Sequence, residues 1–125
     1  MLVYQLILNC SSSVYIDDSE KIRTFVKTLV ERIDMIAHGA PVIDYLSYNS
    51  PTQGNRLYQA TTNGSICGHF MELNGAVYLD VVSYDNFDIQ KVIKVVVQYF
   101  DPLSYHINFL TRQSTDQKND PIRII

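Results

Sequence analysis

An Asn-Gly pair between two segments of alternating side chains restricts the fold of this chain more than any other feature. Asn74 and Gly75 lie near the middle of residues 65–84, where bulky apolar residues alternate with other types. A type I′ turn requires positive φ at both of its central residues, which favours Asn followed by Gly. The sequence therefore predicts a β-hairpin with a two-residue turn, in which Leu73 lies opposite Ala76.

This register sorts the hairpin side chains onto two faces, because successive side chains of a strand point in opposite directions. It places His69 opposite Asp80. It also places Ser65 opposite Tyr84. The face that we expect in the core carries Ile66, Gly68, Phe70, Val77, Leu79 and Val81. The other face is polar, aromatic and titratable, and any site is expected there; it carries Ser65, Cys67, His69, Met71, Tyr78, Asp80, Val82 and Tyr84.

A long amphipathic helix is predicted before the hairpin. Asp17, Asp18 and Ser19 are candidates for its N-cap, since short polar side chains accept hydrogen bonds from the first free N–H groups. The apolar positions that recur at helical spacing are Ile22, Phe25, Val26, Leu29, Val30, Ile33 and Ile36. Gly39 is predicted to end this helix in a left-handed conformation, and Pro41 prevents its continuation.

The remaining elements follow from the same periodicities. Alternation predicts strands over residues 2–9, which we expect to be buried on both faces, and over residues 42–48, 56–62 and 105–111. A second helix is expected over residues 89–100, since its apolar positions have helical spacing and Asp101-Pro102 follows them. The second Asn-Gly pair, Asn63-Gly64, is either a turn or a bulge.

The element order β-α-β-β-β-β-α-β predicts an α+β fold. Two helices on one face of a mainly antiparallel sheet make a two-layer sandwich. We expect one domain over residues 1–112 and a C-terminal tail over residues 113–125. The polar hairpin face then lies on the uncovered side of the sheet, where a homodimer with two facing sheets would cover its tyrosines.

Charge and cysteine content exclude several classes of protein. The net charge is −3 and the basic residues are scattered, which argues against nucleic acid and membrane partners. Two cysteines, Cys10 and Cys67, make a poor disulfide framework. No signal peptide, membrane span or cluster with metal-ligand spacing is evident, so we expect a cytoplasmic protein without a metal.

Ordered motifs along the chain resemble the short, prokaryotic-type S-adenosylmethionine decarboxylases over roughly residues 1–112. An opening strand ends near Cys10, and a long helix follows it. The motifs are Gly64-Ser65-Ile66-Cys67-Gly68-His69-Phe70, then Ala76-Val77-Tyr78-Leu79-Asp80-Val81-Val82-Ser83, then Tyr99-Phe100-Asp101-Pro102. The resemblance implies the fold of that family and a link to polyamine and spermidine biosynthesis.

The resemblance also implies chemistry that this chain has lost. Members of the family cleave their backbone before a serine, which becomes a pyruvoyl group that forms a Schiff base with the substrate. If His69 matches the processing histidine of the family, the cleaved serine falls on Gly64. The catalytic cysteine falls on Tyr84, and a second serine that assists processing falls on Arg56. We therefore expect no pyruvoyl group and no decarboxylase activity, with His69 as a remnant.

Alternatives stay open at individual residues. Ser65 would replace the missing serine only if a bulge at Gly64 turned it to the opposite face. Cys67 beside His69 is either an activated nucleophile or a half-buried strand residue, and we favour the second. The pair His69 and Asp80 is either an acid–base pair or a structural cross-strand contact, and we favour the structural one. Tyrosines that would stack on an adenine ring, or pack at an interface, are Tyr45, Tyr48, Tyr58, Tyr78 and Tyr84.

The sequence thus predicts a catalytically inactive homologue that acts as a binding or regulatory protein. Its partner would be a protein, such as a functional decarboxylase subunit, or a nucleoside of the S-adenosylmethionine type. The binding or interface residues would be His69, Asp80, Tyr78, Tyr84, Ser65, Cys67 and Arg56. The alternative is an active enzyme on S-adenosylmethionine, either processed at Ser65 or independent of a pyruvoyl group. A scaffold role would depend on the apolar residues 121–125.

Overall fold

The computed structural model describes residues 1–47 and 51–113. The elements are β1 (Leu2–Ser11), α1 (Ser19–Arg32), β2 (Val42–Leu46), β3 (Gly54–Thr61), β4 (Gly64–Met71), β5 (Ala76–Ser83), α2 (Ile89–Phe100) and β6 (Ser104–Gln113). The strands form one sheet in the order β2-β3-β4-β5-β1-β6, and every neighbouring pair is antiparallel. The predicted α+β sandwich is confirmed.

Both helices pack on one face of this sheet and share its core. Phe25 of α1 is at the centre, since its ring makes edge contacts with Phe70 of β4 and Phe100 of α2, at centroid distances of 6.5 and 4.9 Å. All three rings are fully buried. The apolar hairpin face lies beneath them, with Ile66, Phe70, Val77, Leu79 and Val81 fully buried as the sequence predicts. The opposite side of the sheet, which we call the outer face, has no helix over it among the described residues.

Both helices begin where the sequence indicates, but α1 ends earlier than predicted. Asp18 accepts hydrogen bonds at the N-terminus of α1, as Asp88 does for α2. The end of α1 is at Arg32 rather than at Gly39. Asp34 takes a left-handed conformation with φ of 58°, and the N–H of Met35 donates to the carbonyl of Val30, which completes a Schellman motif.

The reason for the early end lies in the neighbouring strand. Residues 36–38 run beside the end of β3, where the N–H of His38 donates to the carbonyl of Ala60 and the N–H of Thr62 donates to the carbonyl of Ile36. These bonds satisfy backbone N–H and C=O groups at the end of β3, which would lack partners if α1 continued through residues 36–38. Ile36, predicted to belong to the apolar stripe, is therefore 66% exposed.

The hairpin register is displaced by two residues from the predicted one. Met71 pairs with Ala76, so the loop has four residues, and only Gly75 has positive φ. The N–H of Ser13 donates to the carbonyl of Gly75, and a Cβ at Gly75 would come within 2.8 Å of Ser13 backbone atoms. Contact with the β1–α1 loop therefore sets the turn. A displacement of two residues leaves the two faces of the hairpin unchanged.

Strand β1 and the second Asn-Gly pair also differ from, or narrow, what the sequence predicts. Strand β1 is buried on one face only, through Leu6, Leu8 and Cys10, because its other side lies on the outer face. Asn63-Gly64 is part of a turn, since Thr61 pairs directly with Gly64. The predicted strand residue Tyr48 and the tail from residue 114 onward lie outside the described residues.

Candidate functional site

A row of exposed polar side chains crosses the outer face from one edge of the sheet to the other. Strand register places one member on each strand, and we call the set the polar row. In spatial order it comprises Asp44, Arg56, His69, Tyr78, Asn9 and His106. Within residues 1–47 and 51–113, no hydrogen bond or ion pair engages these side chains, so their donors and acceptors are available to a ligand or partner.

His69 does not face Asp80, contrary to the predicted register. Its cross-strand neighbours are Arg56 on β3 and Tyr78 on β5. Directly opposite residues have Cβ atoms about 5 Å apart, whereas diagonal ones are about 7–8 Å apart. Asp80 is diagonal to His69, and no hydrogen bond joins the two. The predicted pairing of these two residues is wrong, because the four-residue loop moves β5 along β4.

Asp80 instead lies opposite Cys67, with Tyr58 on the other side of the cysteine. Burial, and then the negative charge of Asp80, raise the pKa of the Cys67 thiol. Nucleophilic cysteines have lowered pKa values and positively charged surroundings. This arrangement therefore opposes thiolate formation and favours the structural interpretation of Cys67.

Gly64 begins β4 between two strands, opposite Thr61 on β3 and Ser83 on β5. An added Cβ at Gly64 would lie 1.9 Å from the carbonyl oxygen of Val82, and it would also approach backbone atoms of Ser83. Backbone cannot yield as a flexible side chain does. A residue with a side chain therefore fits here only if the backbone of β5 shifts.

Ser65 follows Gly64 in regular pairing, opposite Ala60 and Val82. The bulge that Ser65 would need to replace a serine at position 64 is absent from this strand. His69 lies four residues further along β4, about 13 Å away at the usual rise per residue. The structure therefore does not bring Ser65 and His69 together within one chain.

The tyrosines separate into two groups. Tyr58 and Tyr78 project from the outer face, and the half-exposed Tyr84 directly follows β5. Tyr45 lies on the other side of β2, where its hydroxyl donates to Glu72 at 2.9 Å and this bond raises the Tyr45 pKa. Tyr45 is therefore not part of the outer face.

The sequence model of the family described as S-adenosylmethionine decarboxylase matches residues 4–113. This chain belongs to the S-adenosylmethionine decarboxylase family. A solved structure, the adenosylmethionine decarboxylase from Aquifex aeolicus VF5, superposes with a TM-score of 0.76 over 96% of this chain and 98% of that one, at 13% identity. A search of curated protein sequences gives no significant match.

The resemblance to S-adenosylmethionine decarboxylases implies a pyruvoyl group, and the residues at the positions that it assigns to this group do not fit one. That group derives from a serine, and if His69 matches the processing histidine, the serine position is Gly64, where a Cβ would collide with the Val82 carbonyl. Arg56 and Tyr84 stand at the other two positions that the resemblance assigns to the chemistry. Of these, only Arg56 is a neighbour of His69.

Sequence reasoning missed three members of the polar row. Asp44 joins it because β2 pairs with β3, and Asn9 and His106 join it because β1 lies between β5 and β6. Asn9, Tyr78 and His106 also line a groove of about 700 Å³ near the hairpin loop. At the other end of the sheet, Asn63 and Ser83 help to line a cleft of about 400 Å³. Alternation alone marks Asp44, Asn9 and His106 as strand residues, but only strand pairing brings them together.

No helix in residues 1–47 and 51–113 has the length and apolar character needed to cross a bilayer. Those residues also contain no group of three His, Cys, Asp or Glu side chains placed to hold a metal ion.

Proposed function

We propose that this chain is a catalytically inactive member of the S-adenosylmethionine decarboxylase family that acts by binding through the outer face of its sheet. Gly64 carries the proposal, since the family makes its pyruvoyl group from a serine and no Cβ is accommodated at this position. The proposal therefore includes no pyruvoyl group. It also places the protein in the cytoplasm, in keeping with its two unpaired cysteines.

The outer face supports the binding role. It presents the polar row together with the ring of Tyr58, all exposed and without side-chain hydrogen bonds among the described residues. Tyrosines supply large apolar areas with a polar end, which suits an interface. The partner we favour is a protein with the same kind of sheet, either a second copy of this chain or a functional decarboxylase subunit that it regulates.

Intact mass and decarboxylation test the loss of catalysis. We expect one species at the full-length mass of 14.3 kDa and no release of labelled CO₂ from carboxyl-labelled S-adenosylmethionine. Two fragments, one with a pyruvoyl-blocked N-terminus, would contradict the proposal and favour an enzyme processed at Ser65. Ser65→Ala is the matched control, because it abolishes cleavage only if Ser65 is the cleaved residue. Release of CO₂ from an uncleaved chain would favour chemistry without a pyruvoyl group.

Two tyrosines of equal exposure test the binding face. Tyr78 and Tyr45 are both 45% exposed, but only Tyr78 lies on the outer face. We expect Tyr78→Ala to weaken association with the partner and Tyr45→Ala to leave it unchanged, as measured by sedimentation or by capture of the decarboxylase subunit. Equal effects of the two variants would contradict an interface on the outer face.

A nucleoside of the S-adenosylmethionine type is the second candidate ligand. The unpaired Arg56 guanidinium beside His69 favours it, since such a molecule carries a carboxylate that Arg recognises. His69→Ala and Tyr84→Ala would then weaken binding in calorimetry. Absence of heat with S-adenosylmethionine or its decarboxylated product at millimolar concentration would exclude this ligand.

A further inference from the structure

The two edges of the sheet differ in how they are protected. Strand β2 has five residues, Pro41 precedes it, and residues 36–38 cover the rest of β3. Short strands and prolines are common protections against unwanted pairing. Strand β6, at the other edge, has ten residues, no proline and no lysine. Eight of those ten residues are exposed.

The backbone of β6 has a partner on one side only. Within the described residues β6 pairs with β1, and no other strand lies beside it. In an antiparallel pair, alternate residues direct their N–H and C=O groups away from the partner strand. A row of such groups therefore runs along the free side of β6, and another strand is the structure that matches it best.

Exposed apolar side chains flank this free edge. Tyr105 and Phe109 lie on the helix side of β6 and are 47% and 37% exposed, and Leu103, just before the strand, is 84% exposed. Phe109 is held in place by Tyr4, at a ring distance of 6.4 Å, and by Phe87, at 5.6 Å. The edge thus combines unpaired backbone groups with apolar surface at fixed positions.

We propose that β6 pairs antiparallel with β6 of a second copy of this chain, so that the two sheets join edge to edge. A twofold axis normal to the sheet relates the two copies and keeps each side of the sheet facing the same way. If Asn108 lies opposite its own copy, Ile107 meets Phe109 on the helix side, and Leu110 meets His106 on the outer face. Arg112, the only formally charged residue of β6, meets Ser104.

This sequence of contacts is why a second copy fits the edge. No like charges lie opposite one another, and the aliphatic and aromatic pairs are of the kind that stabilise antiparallel sheets. Twofold pairing closes the assembly and leaves only the protected β2 edges at its ends. The contacts follow the edge strand and include only His106 of the polar row, so this inference does not depend on the proposed function.

Two matched substitutions test the pairing. Asn108 and Asn9 are both exposed on the outer face, but Asn108 lies on the edge strand and Asn9 on the interior strand β1. Asn108→Lys places two ammonium groups near each other across the twofold axis, and we expect it to raise the dissociation constant about tenfold or more. Asn9→Lys adds the same charge within the polar row but away from the edge, so it should leave pairing through β6 unchanged and weaken only an association through the outer face. Sedimentation over a range of concentrations measures both.

Hydrogen exchange of the β6 amides, read by NMR, supplies the independent measurement. In the associated wild-type chain we expect protection of alternate β6 amides that disappears on dilution and in Asn108→Lys. Rapid exchange of those amides in an associated chain would overturn the inference. So would their protection in a monomer, which would mean that residues of the same chain cover the edge. Association lost in Asn9→Lys and kept in Asn108→Lys would overturn it too, while supporting an interface on the outer face.

Discussion

Introducing a serine at position 64 tests whether the backbone around Gly64 can hold the residue from which the pyruvoyl group of the family derives. The Cβ of Gly64→Ser would lie 1.9 Å from the Val82 carbonyl oxygen, whereas ordinary contact begins near 3.4 Å, so residue 64 and β5 must separate by about 1.5 Å. That separation strains the bond from the N–H of Tyr84 to the carbonyl of Asn63, now 2.8 Å. Overpacking and a lost backbone hydrogen bond together cost about 2–4 kcal/mol.

Urea unfolding with linear extrapolation measures this cost. With m near 2 kcal/mol/M, the midpoint of Gly64→Ser should fall by about 1–2 M, and intact mass should show an uncleaved chain. Gly64→Ala should lose as much, because the collision is with the Cβ and not with the hydroxyl. Gly39→Ser is the control, since nothing lies within 4 Å of a Cβ there and only its φ of 79° opposes the side chain, at about 1 kcal/mol. A Gly64→Ser chain as stable as the wild type would refute the predicted collision, and one that cleaves itself would show that the backbone around position 64 accommodates the serine.

Three further predictions concern stability. Phe25→Ala should cost about 3–5 kcal/mol in urea unfolding, because it empties the centre of the aromatic core, and Phe109→Ala should cost clearly less; equal losses would contradict the assigned core. Asp34→Gly should raise the free energy of unfolding by up to about 1 kcal/mol, since glycine adopts the left-handed conformation without a steric cost, and a loss would contradict the Schellman end of α1. Burial raises the pKa of the Cys10 thiol from 9.0 to about 11. The thiol therefore loses its proton at lower pH in the unfolded chain than in the folded one, and the free energy of unfolding should fall as pH rises from 9 to about 11. Cys10→Ala should flatten that part of the stability–pH curve, and an unchanged slope would show that the thiol is not the cause.

The sequence predicted which side of the hairpin carries the candidate site, but not which of its residues lie next to each other. Alternation correctly assigned Cys67, His69, Tyr78 and Asp80 to one side of the hairpin, and the buried side was also correct. Their partners were not predictable, since the identity of an opposite residue depends on loop length. A displacement of two residues preserved the face but exchanged Asp80 for Tyr78 beside His69.

The features that could be predicted from the sequence are local or periodic. The 3.6-residue repeat of apolar side chains specified both helices, Asp18 was among the N-cap candidates of the first, and the absence of a side chain at Gly64 follows from the sequence alone. These features depend on interactions between residues close together in the chain, so the local sequence is enough to predict them.

The contacts between distant elements depend on the tertiary structure. Contact of Ser13 with Gly75 set the hairpin loop, and bonds from residues 36–38 to β3 ended α1 before Gly39. The position of β1 between β5 and β6 assembled the polar row and left β6 as a free edge. Each of these results joins segments far apart in the chain, and no local propensity encodes which distant backbone group will satisfy a given hydrogen bond.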